Sequence, residues 1–209
     1  MRAKLPQSRT DDMTAVRLSW LPWLFLLALN GLRSWRSRYQ DTPRHPVTAP
    51  PGARQAHIAS LVGAAALIAP LVPTSVLDRH WLPVRQFRAP VGLLLEVLGL
   101  GLVFWARATL GGYWTTRIAP ASAQPLIQSG PYGVVRHPLY VGILAGASGT
   151  ALVTGQVRGI LGLGLLAAAY QRKIADEETA LREHFGDAYT EYAAVTPAYL
   201  PRIRSRRTP

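Results

Sequence analysis

The sequence predicts an all-α protein, a polytopic membrane helical bundle of about five transmembrane helices that ends in a helical hairpin and amphipathic C-terminal helices. Three observations predict it. The apolar residues, 49% of the chain, fall in long runs separated by Arg- and Pro-rich connections. The formal net charge of +12 comes mostly from arginine in those connections, as expected for a chain oriented by cytoplasmic cations and attracted to anionic headgroups. Residues 130–142, GPYGVVRHPLYVG, crowd turn formers, tyrosines and an Arg-His pair between apolar segments. Nucleic-acid binding is the other reading of such a charge, and the apolar runs argue against it. With no cysteine, disulfides, thiolate metal sites and cysteine nucleophiles are excluded.

The first apolar run is Ala15 to Leu32, with Leu18, Trp20, Leu21, Trp23, Leu24 and Phe25. No small-residue cleavage site follows it, so it reads as a spanning or deeply interfacial helix rather than a signal peptide. Residues 33–54 form a basic, proline-punctuated linker. The second run, Ile58 to Leu77, is interrupted by Pro70 and Pro73, which membrane helices tolerate. Asp78-Arg79-His80-Trp81 reads as a membrane interface. The third run, Pro90 to Ala106, carries Glu96 near its middle, a costly position that points to a substrate-facing or helix-pairing carboxylate.

Residues 107–137 form a long connection. Loops of that length in compact domains are functional or disordered, and Gln124-Pro125-Leu126-Ile127 is too apolar for disorder. An ordered, buried loop is expected. Leu139 to Ala169 is apolar again and broken at Thr154-Gly155-Gln156. One straight helix there would be about 45 Å at ~1.5 Å per residue, more than a ~30 Å hydrocarbon core, so a hairpin is expected. Its second arm continues as a polar helix through Lys173, Glu177 and Glu178, with Ile174, Leu181, Phe185 and Tyr192 at helical spacing. Gly186 ends that helix and Asp187 starts a short one. The arginine distribution places residues 33–54, the 107–137 loop and the C-terminus on the cytoplasmic side of the cell membrane.

The chemistry begins at the Arg-His pair. A residue before proline is pushed out of helical geometry, so His137 stands at a helix entrance and Pro138 opens the helix. Backbone donors and the helix dipole there favour an anionic group such as a cofactor carboxylate or phosphate. Gly142, one turn on, permits close approach of a neighbouring helix or a ligand. Lys173 and Glu177 share a helix face, either as a surface salt bridge or as groups beside the loop. The five histidines (His45, His57, His80, His137, His184) show no metal-ligand spacing, so no metal is expected.

These residues carry a resemblance. Leu126-Ile127-Gln128-Ser129-Gly130-Pro131-Tyr132, then Arg136-His137-Pro138-Leu139-Tyr140-Val141-Gly142, then Glu177-Glu178 with Leu181, then Phe185-Gly186-Asp187 with Tyr189 and Tyr192, closed by Thr196-Pro197 and Pro201, resemble the isoprenylcysteine carboxyl methyltransferase family, itself similar to phospholipid methyltransferases. The resemblance covers roughly the C-terminal half. It implies N-terminal membrane helices over residues 1–106 and a catalytic region over 107–209. It implies S-adenosylmethionine as cofactor, held between the cytoplasmic loop and the C-terminal helices, and a lipophilic acceptor (isoprenoid, prenylcysteine-like or lipid) entering from the bilayer.

Carried over by position, Gln124, Pro125, Leu126 and Ile127 line the adenosine side. Tyr132, His137, Pro138, Leu139 and Tyr140 continue the pocket, with His137 at the cofactor's polar tail. Glu177 takes the place of a cofactor-binding glutamate. Lys173 takes the place of a substrate-side arginine, and Arg117 that of a glutamine near the cofactor. Lys173, Glu177 and Arg136 are the candidate catalytic residues. Two alternatives stand beside this reading. One is an NADPH-dependent membrane reductase of the sterol-reductase type, which shares Arg-His-Pro but has Asn where this chain has Leu139. The other is a non-catalytic membrane scaffold.

Overall fold

The computed structural model describes Leu21, Trp23, Leu24 and residues 53–68, 76–79, 85–113 and 125–201. Most of the first apolar run, the 33–52 linker, Arg117 and Gln124 lie outside the described residues. Five helices carry the rest: α1 (Ala53–Ile68), α2 (Arg85–Leu110), α3 (Pro138–Thr154), α4 (Val157–Phe185) and α5 (Asp187–Val195). The described elements are all helical, without a β-strand.

Of these helices, one is long and apolar enough to cross a membrane, over Phe87–Leu110 with mean hydropathy 1.9; α3 is apolar but shorter. The surface of α2 shows what surrounds it. Phe87, Val91, Leu94, Val97, Leu98 and Trp105 are exposed, whereas Arg88, Glu96 and Arg107 on the same helix are buried. An apolar outside with charged groups turned inward inverts the pattern of a water-facing helix and fits a lipid-facing one.

Helix α2 packs along α3, and α1 along α4. The α2–α3 contact runs through glycines. A Cβ built at Gly92 would stand 2.7 Å from the Gly149 carbonyl oxygen, and one at Gly142 2.6 Å from that of Gly99. Small residues on facing helices let the backbones approach, the usual means of association where lipid removes the hydrophobic drive. The close approach expected at Gly142 is therefore a helix–helix contact. Glu96 lies in this seam, fully buried, and its Oε1 accepts a hydrogen bond from the Thr150 hydroxyl of α3 at 3.2 Å. Trp23 Nε1 donates to the same hydroxyl at 2.9 Å, which ties Trp23 to the α2–α3 pair. Glu96 holds the helix-pairing position.

The structure moves two boundaries. Helix α2 starts at Arg85, five residues before the apolar run, and carries Pro90 in its second turn. It also runs past Ala106 to Leu110 and into a 3₁₀ turn at Gly111–Tyr113, which shortens the following connection.

The expected hairpin is present. Helix α3 ends at Thr154, Gly155 takes the left-handed conformation (φ 61°), and α4 starts at Val157. Glycine serves twice there, since a Cβ at 155 would also collide with the Arg88 guanidinium tucked beneath the turn. Residues 76–79 close the same end: the Val157 and Arg158 amides donate to the Arg79 and Leu77 carbonyls at 3.0 and 3.1 Å, and Arg158 pairs with Asp78. Helix α4 then continues for 29 residues, about 43 Å, from an apolar half into a polar one, ending at Gly186 before α5.

Candidate functional site

The other end of the α3–α4 pair gathers the polar residues. Pro131 accepts from the amides of Val134 and Val135, making a tight 3₁₀ turn over Gly130–Gly133 that buries Pro131 and Tyr132. The Tyr132 carbonyl accepts from the Tyr192 hydroxyl of α5 at 2.6 Å, so the turn is pinned to the C-terminal helix. The chain then passes through Arg136 to His137, the N-cap of α3, whose φ −121° and ψ 54° lie outside helical geometry, which proline at 138 disfavours. The Val141 amide donates to the His137 carbonyl and begins the helix.

Glu178 on α4 is the hub that fixes this entrance. Its Oε1 accepts from Arg136 Nε and Nη2 at 3.0 and 2.6 Å, and from His137 Nε2 at 3.0 Å, the ring nitrogen donating because a carboxylate only accepts. Its Oε2 accepts from Arg182 at 3.0 Å. Arg136 Nη1 also donates to the carbonyls of Ala193 and Thr196, at 3.1 and 2.6 Å. The Arg136 guanidinium is thus engaged by protein groups. Burial works against the Glu178 carboxylate, but the hydrogen bonds from Arg136 and His137 and their charges outweigh it and hold its pKa below the usual carboxylate value. Burial likewise opposes the Arg136 cation, and the Glu178 hydrogen bonds and charge overcome it, leaving its pKa above the ordinary value. The Arg182 contact is a different matter. Its side chain is 51% exposed, so Arg182→Ala is expected to shift stability by less than about 0.5 kcal/mol, read as a near-unchanged thermal melt.

One turn earlier on α4, a second cluster faces α3. Tyr140 donates its hydroxyl to Glu177 Oε2 at 2.7 Å, its ring packs against Tyr170 with centroids 4.9 Å apart, and Lys173 Nζ lies 5.9 Å from its ring centroid. The residues at 170, 173 and 177 follow helical spacing, so a single face of α4 presents all three. Burial pulls the Lys173 ammonium below its ordinary pKa, with Glu177 opposing. The Tyr132 hydroxyl is buried without a hydrogen-bond partner; burial, then the charge of Glu177, pushes its pKa up. A buried hydroxyl lacking a partner near a carboxylate with spare acceptor capacity is a donor–acceptor pair open to a polar ligand.

The structure therefore brings Tyr132, His137, Tyr140, Lys173 and Glu177 to one end of the bundle. Pro138 is fully buried at the start of α3. Leu139 turns the other way and packs against Leu100 and Val103 of α2. Pro125 is exposed, while Leu126 and Ile127 are half-buried in the loop before the turn. Sequence reasoning passed over Glu178, Tyr170 and Tyr199 as site residues. Glu178 had a signal, an acid beside Glu177 on a helix facing an Arg-His pair, but adjacent residues on a helix point in different directions and only the fold shows which pairs with Arg136.

Residues 92–183 match the sequence model of the isoprenylcysteine carboxyl methyltransferase (ICMT) family. That segment contains the glycine seam, the Gly130–Gly133 turn, the Arg-His pair and the α4 cluster. The match covers 92 of the chain's 209 residues. The chain is 29% identical over 147 residues to protein-S-isoprenylcysteine O-methyltransferase B of Arabidopsis thaliana, covering 69% of this chain and 72% of that protein. It is 37% identical over 79 residues to the protein-S-isoprenylcysteine O-methyltransferase of Schizosaccharomyces pombe, covering 37% and 34%. It is also 36% identical over 118 residues to the cobalt-zinc-cadmium resistance protein CzcN of Cupriavidus metallidurans, covering 55% of this chain. The chain spans about half the length of CzcN (51%). The ICMT segment ends at Glu183, so the contacts from Tyr192 and Thr196 into the site come from beyond it.

Proposed function

We propose that this chain is an integral membrane methyltransferase that uses S-adenosylmethionine to methylate a lipophilic small molecule drawn from the bilayer. The observation that carries the reading is that the ICMT segment places a polar cluster, with a buried partnerless tyrosine hydroxyl, at the end of helices whose outer faces are apolar. The donor set fits the cofactor: Glu177 offers acceptors for its ammonium or ribose hydroxyls, and Tyr132 and His137 offer polar contacts beside them. The loop residues Pro125, Leu126 and Ile127, with Gln124 before them, complete its apolar side. Bound there, S-adenosylmethionine supplies a methyl group already activated on a sulfonium.

The protein's task is accordingly alignment more than acid–base work. Tyr140 holds Glu177 in one orientation. Lys173, half-buried beside the same tyrosine, brings a point charge toward the acceptor. Arg136 and Glu178 act as positioning residues, because their polar atoms are committed to holding His137 and the end of the chain. The polar end faces the cytoplasm, and about five spans complete the bundle. In this arrangement the lipophilic acceptor enters between helices and the soluble cofactor from water.

Isothermal titration of the purified full chain tests the reading. Binding of S-adenosylmethionine or its demethylated product is expected, and a wild-type protein that binds neither sinks it. His137→Ala and Glu177→Gln are each expected to weaken binding about tenfold or more, the loss of a polar contact to a charged ligand. Wild-type affinity in either variant removes that residue from the site.

A further inference from the structure

The end of the bundle opposite the polar cluster holds a buried cation without an anion. Arg88 is the second residue of the apolar span Phe87–Leu110 and is only 6% exposed. A guanidinium carries five N–H donors and a positive charge. Here the protein answers one donor, and weakly: Nη1 stands 3.5 Å from the Thr154 carbonyl. That contact caps the last turn of α3, a favourable place for a cation, and leaves the other donors unmet. Nε is buried without a hydrogen-bond partner. Among the described residues 76–79, 85–92 and 150–160, the one acid is Asp78, and it pairs with Arg158. Burying a charge is costly unless its donors are satisfied, so Arg88 calls for an anion from outside the chain.

The surroundings say which anion. Arg88 packs against the Gly155 backbone, where a Cβ would collide with Nη1 and stand 2.7 Å from Cζ, so the guanidinium is fixed in place. Its place at the very end of an apolar span puts it at the depth of lipid phosphates. Phe87 precedes it, Val91 follows one turn on, and Leu94 lies beyond; all three are exposed and apolar. The 17 residues of α3, about 25 Å of helix, separate this end from His137, so the cofactor cluster has no part in it.

We propose that Arg88 binds the phosphate of a membrane phospholipid at the α3–α4 turn, with the acyl chains of that lipid along Val91 and Leu94. The Nε–Nη2 edge of a guanidinium takes two phosphate oxygens side by side, and Nη1 is the nitrogen that Thr154 engages. The source is a lipid and not free phosphate, because exposed apolar side chains continue from the cation along the same helix. The proposal stands on the geometry around Arg88 and is independent of the methyltransferase reading.

Thermal unfolding of the purified full chain tests it, in phosphate-free maltoside after washing until phosphorus analysis finds no bound lipid. Dioctanoyl phosphatidylcholine is expected to raise the melting temperature by about 5 °C near saturation. Dioctanoylglycerol, with the same chains and no phosphate, is expected to leave it unchanged. Arg88→Gln is expected to abolish the rise. Arg88→Lys keeps the charge and loses the fork, so it is expected to bind the phospholipid about tenfold more weakly, a reading that survives if the Gln variant fails to fold. Arg79→Gln, which removes an exposed arginine at the same end, is expected to keep the full rise. Equal stabilisation by dioctanoylglycerol overturns the proposal, as does a wild-type affinity in Arg88→Lys or a rise that persists in Arg88→Gln. Loss of the rise in Arg79→Gln overturns it in favour of diffuse attraction to headgroups. Inorganic phosphate matching the phospholipid overturns the lipid assignment and leaves a soluble-anion site. A wild type that no phospholipid stabilises shows Arg88 to be a helix cap alone.

Discussion

Glu178→Ala is expected to destabilise the protein by about 3 kcal/mol, the magnitude of leaving a partly buried cation and its hydrogen-bonded neighbours without their carboxylate. Thermal unfolding in detergent should fall by roughly 6–12 °C for a chain of this size. The loss is large because one side chain accepts from Arg136, His137 and Arg182 together and so joins the loop, α3 and α4. Glu178→Gln keeps an acceptor and loses the charge, and should fall between the wild type and Glu178→Ala. The pH dependence has a definite sign. The folded pKa of Glu178 lies below the unfolded value of about 4.3, so its contribution is complete above that value and is lost as the pH falls through the folded pKa. In the wild type, acid should therefore weaken the fold below about pH 4.3, and Glu178→Gln should flatten that part of the profile. An acid profile of Glu178→Gln identical in slope to the wild type would remove Glu178 from this role.

Gly149→Ala is expected to cost about 3 kcal/mol, at the upper end for an overpacked core. A Cβ there would stand 2.7 Å from the Glu96 amide nitrogen and also collide with the Gly92 carbonyl, and backbone atoms of a packed helix pair cannot swing aside as a flexible side chain can. Moving α2 away would in turn stretch the Thr150–Glu96 hydrogen bond and strand a carboxylate inside the bundle. The matched control is Gly101→Ala on α2 or Gly164→Ala on α4, where a Cβ meets nothing within 4 Å. There the better helix propensity of alanine should raise stability by up to about 1 kcal/mol. Equal melting temperatures for Gly149→Ala and Gly101→Ala would show that the seam does not hold the helices together.

Both predictions depend on features that differ in how far they could be read from the chain. The hairpin was legible because Thr154-Gly155-Gln156 interrupts a run too long for one span, and the entrance at His137 because proline dictates the backbone on either side of it. Gly186 before Asp187 marked the last helix break in the same local way. Glu96 was legible as an anomaly but not as a pairing group, since Thr150 lies 54 residues away. Helix α2 begins at Arg85, five residues before the apolar run that opens at Pro90, a start that hydropathy does not mark because Arg85, Gln86 and Arg88 are polar.

The site divides along the same line. The residue types at its mouth, Arg136, His137, Tyr140 and Glu177, follow from local pattern and from likeness to a family, both of which are properties of sequence order. What the sequence by itself determined is the all-helical class, the hairpin, the break before α5 and the candidates for polar chemistry, since each depends on neighbours within a few residues or on the period of one helix. Only the tertiary structure decided that Glu178 and not Glu177 takes Arg136 and His137, that Tyr140 takes Glu177, and that residues 196–199 close over the entrance. Those pairings join groups 37 to 61 residues apart. Hydrogen bonding is short-ranged and directional, so nothing in sequence spacing states which of two adjacent carboxylates faces the partner until the helices are set against one another.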